Sequence, residues 1–264
     1  MAAPAPAASP TKLFIPWIGY NHTVNMEHSL SLMRLLLYCQ THQIGVTLYP
    51  IGFESLISRA RNAAAAAFLS DPEATHLLFL DTDIGFAPED VLKLLFADKP
   101  IVCAAYAKKF LDADRLRRHP GRLELCTQPS IHLTQEAAAV FAPHAPTPSS
   151  GGLSDARRWL AECEYATTGF LLIRREVLTT LTERHPERQY ANDIDAHQSL
   201  NPNTFYDLFP VAIHPETRRY ESEDYGFSRL ARAAGFTIYC ATDITLTHYG
   251  HMGFPCNLYA QLTA

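Results

Sequence analysis

The sequence predicts an α/β fold, a mixed, mostly parallel sheet flanked by helices. Three observations carry that expectation. Short apolar or β-branched runs alternate with stretches of helical apolar spacing up to about residue 107, the pattern of parallel strands joined by crossover helices. Hydrophobic residues make up 47% of the 264 and charged residues 19%, which can bury a large core and excludes a disordered chain. Two acids, Asp81 and Asp83, close a buried apolar run, at the strand end where open α/β sheets bind their ligands.

The elements follow in order. Residues 1–11, MAAPAPAASPT, read as a flexible tail, and residues 12–264 as a single domain. LFIPWIGY (13–20) is a compact apolar run and the first strand. Leu30, Met33, Leu36 and Leu37 place a helix over 27–39. GVTLYPI (45–51) is a second strand, and the alanine-rich stretch 56–69 a second helix. THLLFLDTD (75–83) is a strand running into acids, and Pro88 opens the helix that presents Val91, Leu92, Leu94 and Leu95. PIVCAAYA (100–107) is the next strand.

Regularity then fails. Residues 111–160 read as an irregular insertion, with PHAPTPSSGG (143–152) a loop. Order resumes with YATTGFLLI (165–173) as one strand, followed by the helix REVLTTLTER. SEDYGFSRLARAAGF (222–236) is a helix ending at Gly235, with Ser222 as N-cap and Glu223 and Asp224 in the first turn. TIYCA and ITLTHYG are two final strands.

Composition narrows the function classes. Lysine plus arginine is 22 and aspartate plus glutamate 27, a formal charge of -5, which disfavours bulk nucleic-acid binding. The longest apolar runs fall well short of the roughly 18–20 residues of a membrane span. The first residues lack the basic and apolar regions of a signal peptide, so the expected location is cytoplasmic. Six cysteines, at 39, 103, 126, 163, 240 and 256, form no CxxC pair, so buried reduced thiols are expected rather than a zinc site.

The acids admit two readings. Asp81-Thr82-Asp83 is either a turn that favours Asp or a site for a hard divalent cation, Mn2+ or Mg2+, which takes carboxylate oxygens together with phosphate and water. Glu223-Asp224 is either ordinary helix N-terminal charge or a catalytic pair, and His248 either a surface or core residue or a cation ligand. These pieces occur in one order. RARN (59–62), THLLFLDTDIGFAPEDVLKLL (75–95), KPIVCAAYAKK (99–109), ATTGFLLIRREVL (166–178) and YESEDYGFSRLARAAGFTIYCATDITLTHYG (220–250) together resemble the small family-2-like soluble glycosyltransferases of the GT-A type. The resemblance spans most of 12–253 apart from the 111–160 insertion.

The resemblance implies a metal-dependent hexosyltransferase with a Rossmann-like GT-A fold. Its donor would be a nucleoside diphosphate sugar, UDP-linked by frequency in the family. Its acceptor would be a hydroxyl on a glycan, a protein, a small molecule or a modified base. Asp83 and His248 would hold the metal, with Asp81 a further ligand or a contact to the ribose or donor sugar; His251 is a weaker candidate. The metal would neutralise charge on the leaving diphosphate. Asp224 would be the general base in an inverting reaction, with Glu223 in support. Arg61 and Asn62 would border the nucleotide, Arg61 being preferred to Arg59 because the two cannot face one ligand. Tyr20 would meet the base, Lys108 a phosphate or an acceptor, and Gly169 would let the backbone approach the donor sugar. A surface role for Lys108 and a β-bulge at Gly169 are the alternatives. Trp17, Tyr225 and Phe254 are core or stacking residues. The insertion 111–160 is a lid or an acceptor platform, and 191–210 a second region for acceptor contacts. The stretch 18–30 offers no clear equivalent of the family's nucleotide-binding acid.

Two other functions share parts of this pattern. A haloacid-dehalogenase-like phosphatase would use Asp81 as its nucleophile, but Gly85 stands where that signature has threonine and the motif falls on the third strand rather than the first. A non-catalytic module that binds a nucleotide sugar would have no need of a base at Asp224.

Overall fold

The computed structural model describes residues 10–141 and 159–264. The expected tail, apart from Pro10 and Thr11, and the expected loop 143–152 lie outside the described residues. β1 (Lys12–Gly19) and β2 (Gly45–Gly52) pair in parallel along their whole length, joined by α1 (Met26–Thr41). α2 (Ile57–Ser70) leads into β3 (His76–Leu80), which lies parallel to β1. β4 (Ile84–Gly85), α3 (Pro88–Phe96) and β5 (Ile101–Cys103) follow.

The second half begins with α4 (Ala113–Arg118), β6 (His132–Leu133) and α5 (Gln135–Ala139), so part of the expected irregular insertion is ordered structure. β7 (Leu160–Tyr165), β8 (Phe170–Arg174), α6 (Arg175–Arg184), β9 (Ala212–Ile213) and β10 (Tyr220–Glu221) come next. α7 (Glu223–Ala233), β11 (Ile238–Ala241), β12 (Thr245–Tyr249), β13 (Gly253–Asn257) and α8 (Leu258–Thr263) complete the chain.

Eight strands form the central sheet, in the order β2-β1-β3-β8-β5-β11-β7-β6. β8 runs antiparallel to β3 and β5, and β7 antiparallel to β11 and β6; the others share one direction. This is the expected Rossmann-like mixed α/β sheet. Both faces are covered, which is why its strands are apolar at successive positions. Phe14, Leu77 and Phe79 face α2, α6 and α7, while Leu13, Ile15, Leu78 and Leu80 face α1 and α3. The buried alanines 63–67 let α2 lie close on the sheet. All six cysteines are buried and free, and no helix among the described residues is long and apolar enough to cross a membrane.

Three local expectations need correction. YATTGFLLI is not one strand, because residues 166–169 leave the ladder. There Thr167 Oγ1 donates to the Ala104 carbonyl at 2.9 Å and the Ala166 amide donates to Ser228 Oγ at 2.9 Å. PIVCAAYA stops as a strand at Cys103. A third terminal strand, β13, lies at the edge of the small sheet β13-β12-β4, where Pro255 is tolerated for want of a partner on one side.

α7 ends as expected on Gly235, whose φ of 89° needs no β-carbon. Its other glycine serves packing. A Cβ on Gly226 would stand 2.0 Å from the Pro210 carbonyl oxygen, so the helix meets the 207–210 segment at backbone contact. Gly226→Ala should therefore destabilise the fold by about 1–3 kcal/mol through overpacking, although alanine in an open helix would gain about 1 kcal/mol. Chemical denaturation reads the sign.

Candidate active site

The carboxyl ends of β1, β2, β3 and β5 open on one side of the sheet, and the first residues beyond them line a cleft of about 440 Å³. Tyr20 follows β1, Glu54 and Ser55 follow β2, Asp81, Thr82 and Asp83 follow β3, and Tyr106 lies beyond β5. α7 closes the cleft with Ser222, Glu223 and Asp224, and Arg61 reaches in from α2.

The acid turn is held by three residues on one face of α1. The Asn25 amide donates to the Thr82 carbonyl at 2.9 Å, His28 Nδ1 meets the Ile84 carbonyl at 3.0 Å, and Ser31 Oγ accepts from the Phe86 amide at 3.1 Å. Burial pushes the His28 imidazole down, so the ring is neutral and donates from Nδ1.

Asp81 and Asp83 face different cations. Arg61 Nη2 lies 2.8 Å from Asp81 Oδ1 and its Nε 3.5 Å from Glu223 Oε1, over the Phe79 ring at 4.9 Å. The Arg61 side chain is only 3% exposed. Burial opposes its charge, but Asp81 and Glu223 more than offset this and hold the guanidinium protonated. Asp83 Oδ2 instead meets Lys109 Nζ at 2.6 Å and His248 Nε2 at 3.3 Å. Burial would raise the Asp83 carboxyl; hydrogen bonds to His248 and Lys109 outweigh it and hold it at about 2.

This donor set fits a divalent cation. His248 Nδ1 donates to the Ala107 carbonyl at 2.7 Å, so Nε2 gives Asp83 a hydrogen bond only while the ring carries both protons, and with the second proton gone the bare Nε2 is the atom that would face a cation. A carboxylate and an imidazole nitrogen suit Mn2+. Among the described residues no group of three or more His, Cys, Asp or Glu converges, so a cation held by Asp83 and His248 would take its remaining ligands from phosphate and water.

Other expected residues separate on inspection. Asp81, expected as a further metal ligand or a contact to the ribose or donor sugar, has Oδ1 on Arg61 and forms no three-residue cluster with Asp83 and His248. Arg59 stays outside and forks onto Glu54 at 2.6 and 3.0 Å. Asn62 turns away from the cleft: Oδ1 accepts from the Leu208 and Phe209 amides and Nδ2 donates to Asp207. It holds the 207–209 loop through both its oxygen and its nitrogen. Lys108 lines the adjoining cavity rather than the acid cleft, and its neighbour Lys109 pairs with Asp83. His251 is exposed against Phe254, and Phe254 is core. Tyr20 is 63% exposed at the cleft rim. A Cβ on Gly169 would fall 2.7 Å from Tyr106 Cε1 and 2.9 Å from Asp81 Oδ2, so the glycine is a close approach. Glu54, just past β2, lines the same cleft as Tyr20 and is paired there with Arg59.

A second cavity of about 280 Å³ adjoins the first, and Tyr106 and Asp224 line both. Its walls are Tyr165, Tyr225 and His132, with residues 128–131 and Lys108. The Tyr165 and Tyr225 rings lie 4.1 Å apart. Part of the 111–160 segment thus forms a platform beside Asp224, whereas 191–210 lines neither cavity. Ser222 sits at the N-cap, but its hydroxyl accepts from no helix amide and instead donates to Asp224 Oδ1. The Tyr225 amide donates to the same oxygen at 2.9 Å.

No known family model and no curated protein matches the chain. Among solved structures it is similar to A197 from STIV, at 15% identity and a TM-score of 0.44, over 91% of this chain and 86% of that one.

Glu223 yields a prediction with a defined sign. Burial raises its carboxyl above 4.5, and the adjacent Asp224 adds to this against the pull of Arg61. A raised folded-state pKa means stability is lost as pH rises from 4.5 through the folded value. Glu223→Gln should therefore raise Tm at pH 7.5, with the gain shrinking toward pH 4, as read by thermal melts across that range.

Proposed function

We propose that this chain is a metal-dependent glycosyltransferase of the GT-A type, moving a sugar from a nucleoside diphosphate carrier, UDP by expectation, to an acceptor hydroxyl. The observation that carries this reading is Asp224, the carboxylate that borders both cavities. Group transfer needs two ligands side by side with a base between them.

The acid cleft is the donor side. Tyr20 offers an exposed ring for a base to stack on. Asp83 and His248 would hold Mn2+ or Mg2+. When bound, that cation supplies Lewis-acid neutralisation of the charge on the leaving diphosphate. Asp81, fixed by Arg61 and covered by Gly169, is placed for the ribose or the donor sugar. The aromatic cavity is the acceptor side.

Asp224 takes the acceptor proton. Both hydrogen bonds it accepts fall on Oδ1, which leaves Oδ2 for the hydroxyl. The acceptor oxygen then bonds to the anomeric carbon as the bond from that carbon to the diphosphate breaks, and the electron pair leaves on the phosphate. Glu223 faces Arg61 and keeps the guanidinium in place. What favours transfer over phosphate-ester hydrolysis at Asp81 is this second cavity beside Asp224.

Asp224→Asn should lower transfer by about 10²–10⁴ and leave nucleotide-sugar affinity unchanged by calorimetry. Transfer retained at the wild-type rate would remove Asp224 from the mechanism.

A further inference from the structure

Asp83, which lines the acid cleft, is already paired with a cation of the chain's own. Lys109 Nζ lies 2.6 Å from Asp83 Oδ2, the same oxygen that faces His248 Nε2 at 3.3 Å. One ammonium therefore already holds the carboxylate oxygen that faces His248 and that a metal held by these two residues would use.

The placement is built. Lys109 is two residues beyond Ala107, whose carbonyl fixes the His248 ring and whose backbone bridges to Pro129. One segment thus delivers both the imidazole and the ammonium. The Lys109 stem crosses Gly250, where an added Cβ would come within 3.2 Å of Lys109 Cδ. Asp83 is held from the other side as well, since its carbonyl accepts the Tyr249 amide at 2.8 Å. The cationic side chain that lines the cleft, Arg61, is engaged by Asp81 and Glu223. Lys109 is thus the cation that can be exchanged.

We propose that Lys109 is a built-in counter-ion for Asp83 that a divalent cation must displace, and that the released ammonium then pairs with the anionic diphosphate. This rests on the donor-site reading above. Two like charges cannot share one carboxylate oxygen at contact distance without mutual repulsion. Metal binding to the free protein is therefore weakened, and a diphosphate relieves the competition by giving Lys109 a new partner. Metal and nucleotide become thermodynamically coupled through one side chain.

The test is a Mn2+ titration followed by electron paramagnetic resonance, with and without UDP, on the full chain and on Lys109→Met, Lys109→Arg and Asp83→Asn. Without UDP, Lys109→Met should bind Mn2+ about three- to fivefold more tightly than wild type, the range of a partly exposed ion pair. Lys109→Arg should stay near wild type and Asp83→Asn should lose the site. UDP should improve Mn2+ affinity more in wild type than in Lys109→Met. Equal or weaker Mn2+ binding by Lys109→Met overturns the proposal. If UDP and Mn2+ still bind together in wild type, the donor reading survives that failure; if neither protein binds either ligand, both fall.

Discussion

The site depends on one buried cation. Arg61 carries a full charge in a pocket that water hardly reaches, and an unpaired charge there would cost several kcal/mol. It is sustained by Asp81, 20 residues on, and by Glu223, 162 residues on, with the Phe79 face beneath. Those contacts tie α2, the end of β3 and the start of α7 to a single point. They also divide the work within each acidic pair. Asp81 and Glu223 close on the guanidinium, while Asp83 and Asp224, their near neighbours in sequence, take other partners, Lys109 and His248 for the one and Ser222 and the Tyr225 amide for the other.

The strands that place these groups were legible in the sequence wherever hydrophobicity and strand order coincide. HLLFL ends in acids because a buried strand must surface somewhere, and its carboxyl end is where the sheet binds ligands. Arg61 was separable from Arg59 by helical phase alone. The same phase argument also separates Arg61 from Asn62, about 100° away on the helix, and Asn62 accordingly serves the 207–209 loop. Lys108 and Lys109 are a harder case. Regular strand geometry ends at Cys103, so the parity that assigns alternate side chains to opposite faces is lost before it reaches them. Contacts that depend on tertiary closure left no local signal. Glu54, the 128–132 platform and the α1 ladder of Asn25, His28 and Ser31 are of this kind.

That ladder shows how the fold supports the chemistry. Asn25, His28 and Ser31 hold the backbone at 82, 84 and 86 from one side. β12 pairs with β4 on the other side, His248 lying opposite Ile84 in the register. The acid turn is therefore fixed between a helix and a strand, and the strand carries His248. Rigidity of this sort lets a short Asp-x-Asp segment present one carboxylate to a cation and the other to Arg61 without either reorienting.

The central claim is that the acid cleft is a metal-assisted nucleotide site. The most direct measurement is a thermal-shift panel of nucleoside diphosphates and nucleotide sugars, each with and without manganese. A ligand bound by the native state alone stabilises it by about 2.7 kcal/mol at a hundredfold excess over its dissociation constant. The account predicts a manganese-dependent rise in Tm with one nucleotide, reduced when Asp83 is replaced by asparagine. No shift with any nucleotide, in the presence or absence of metal, would contradict it.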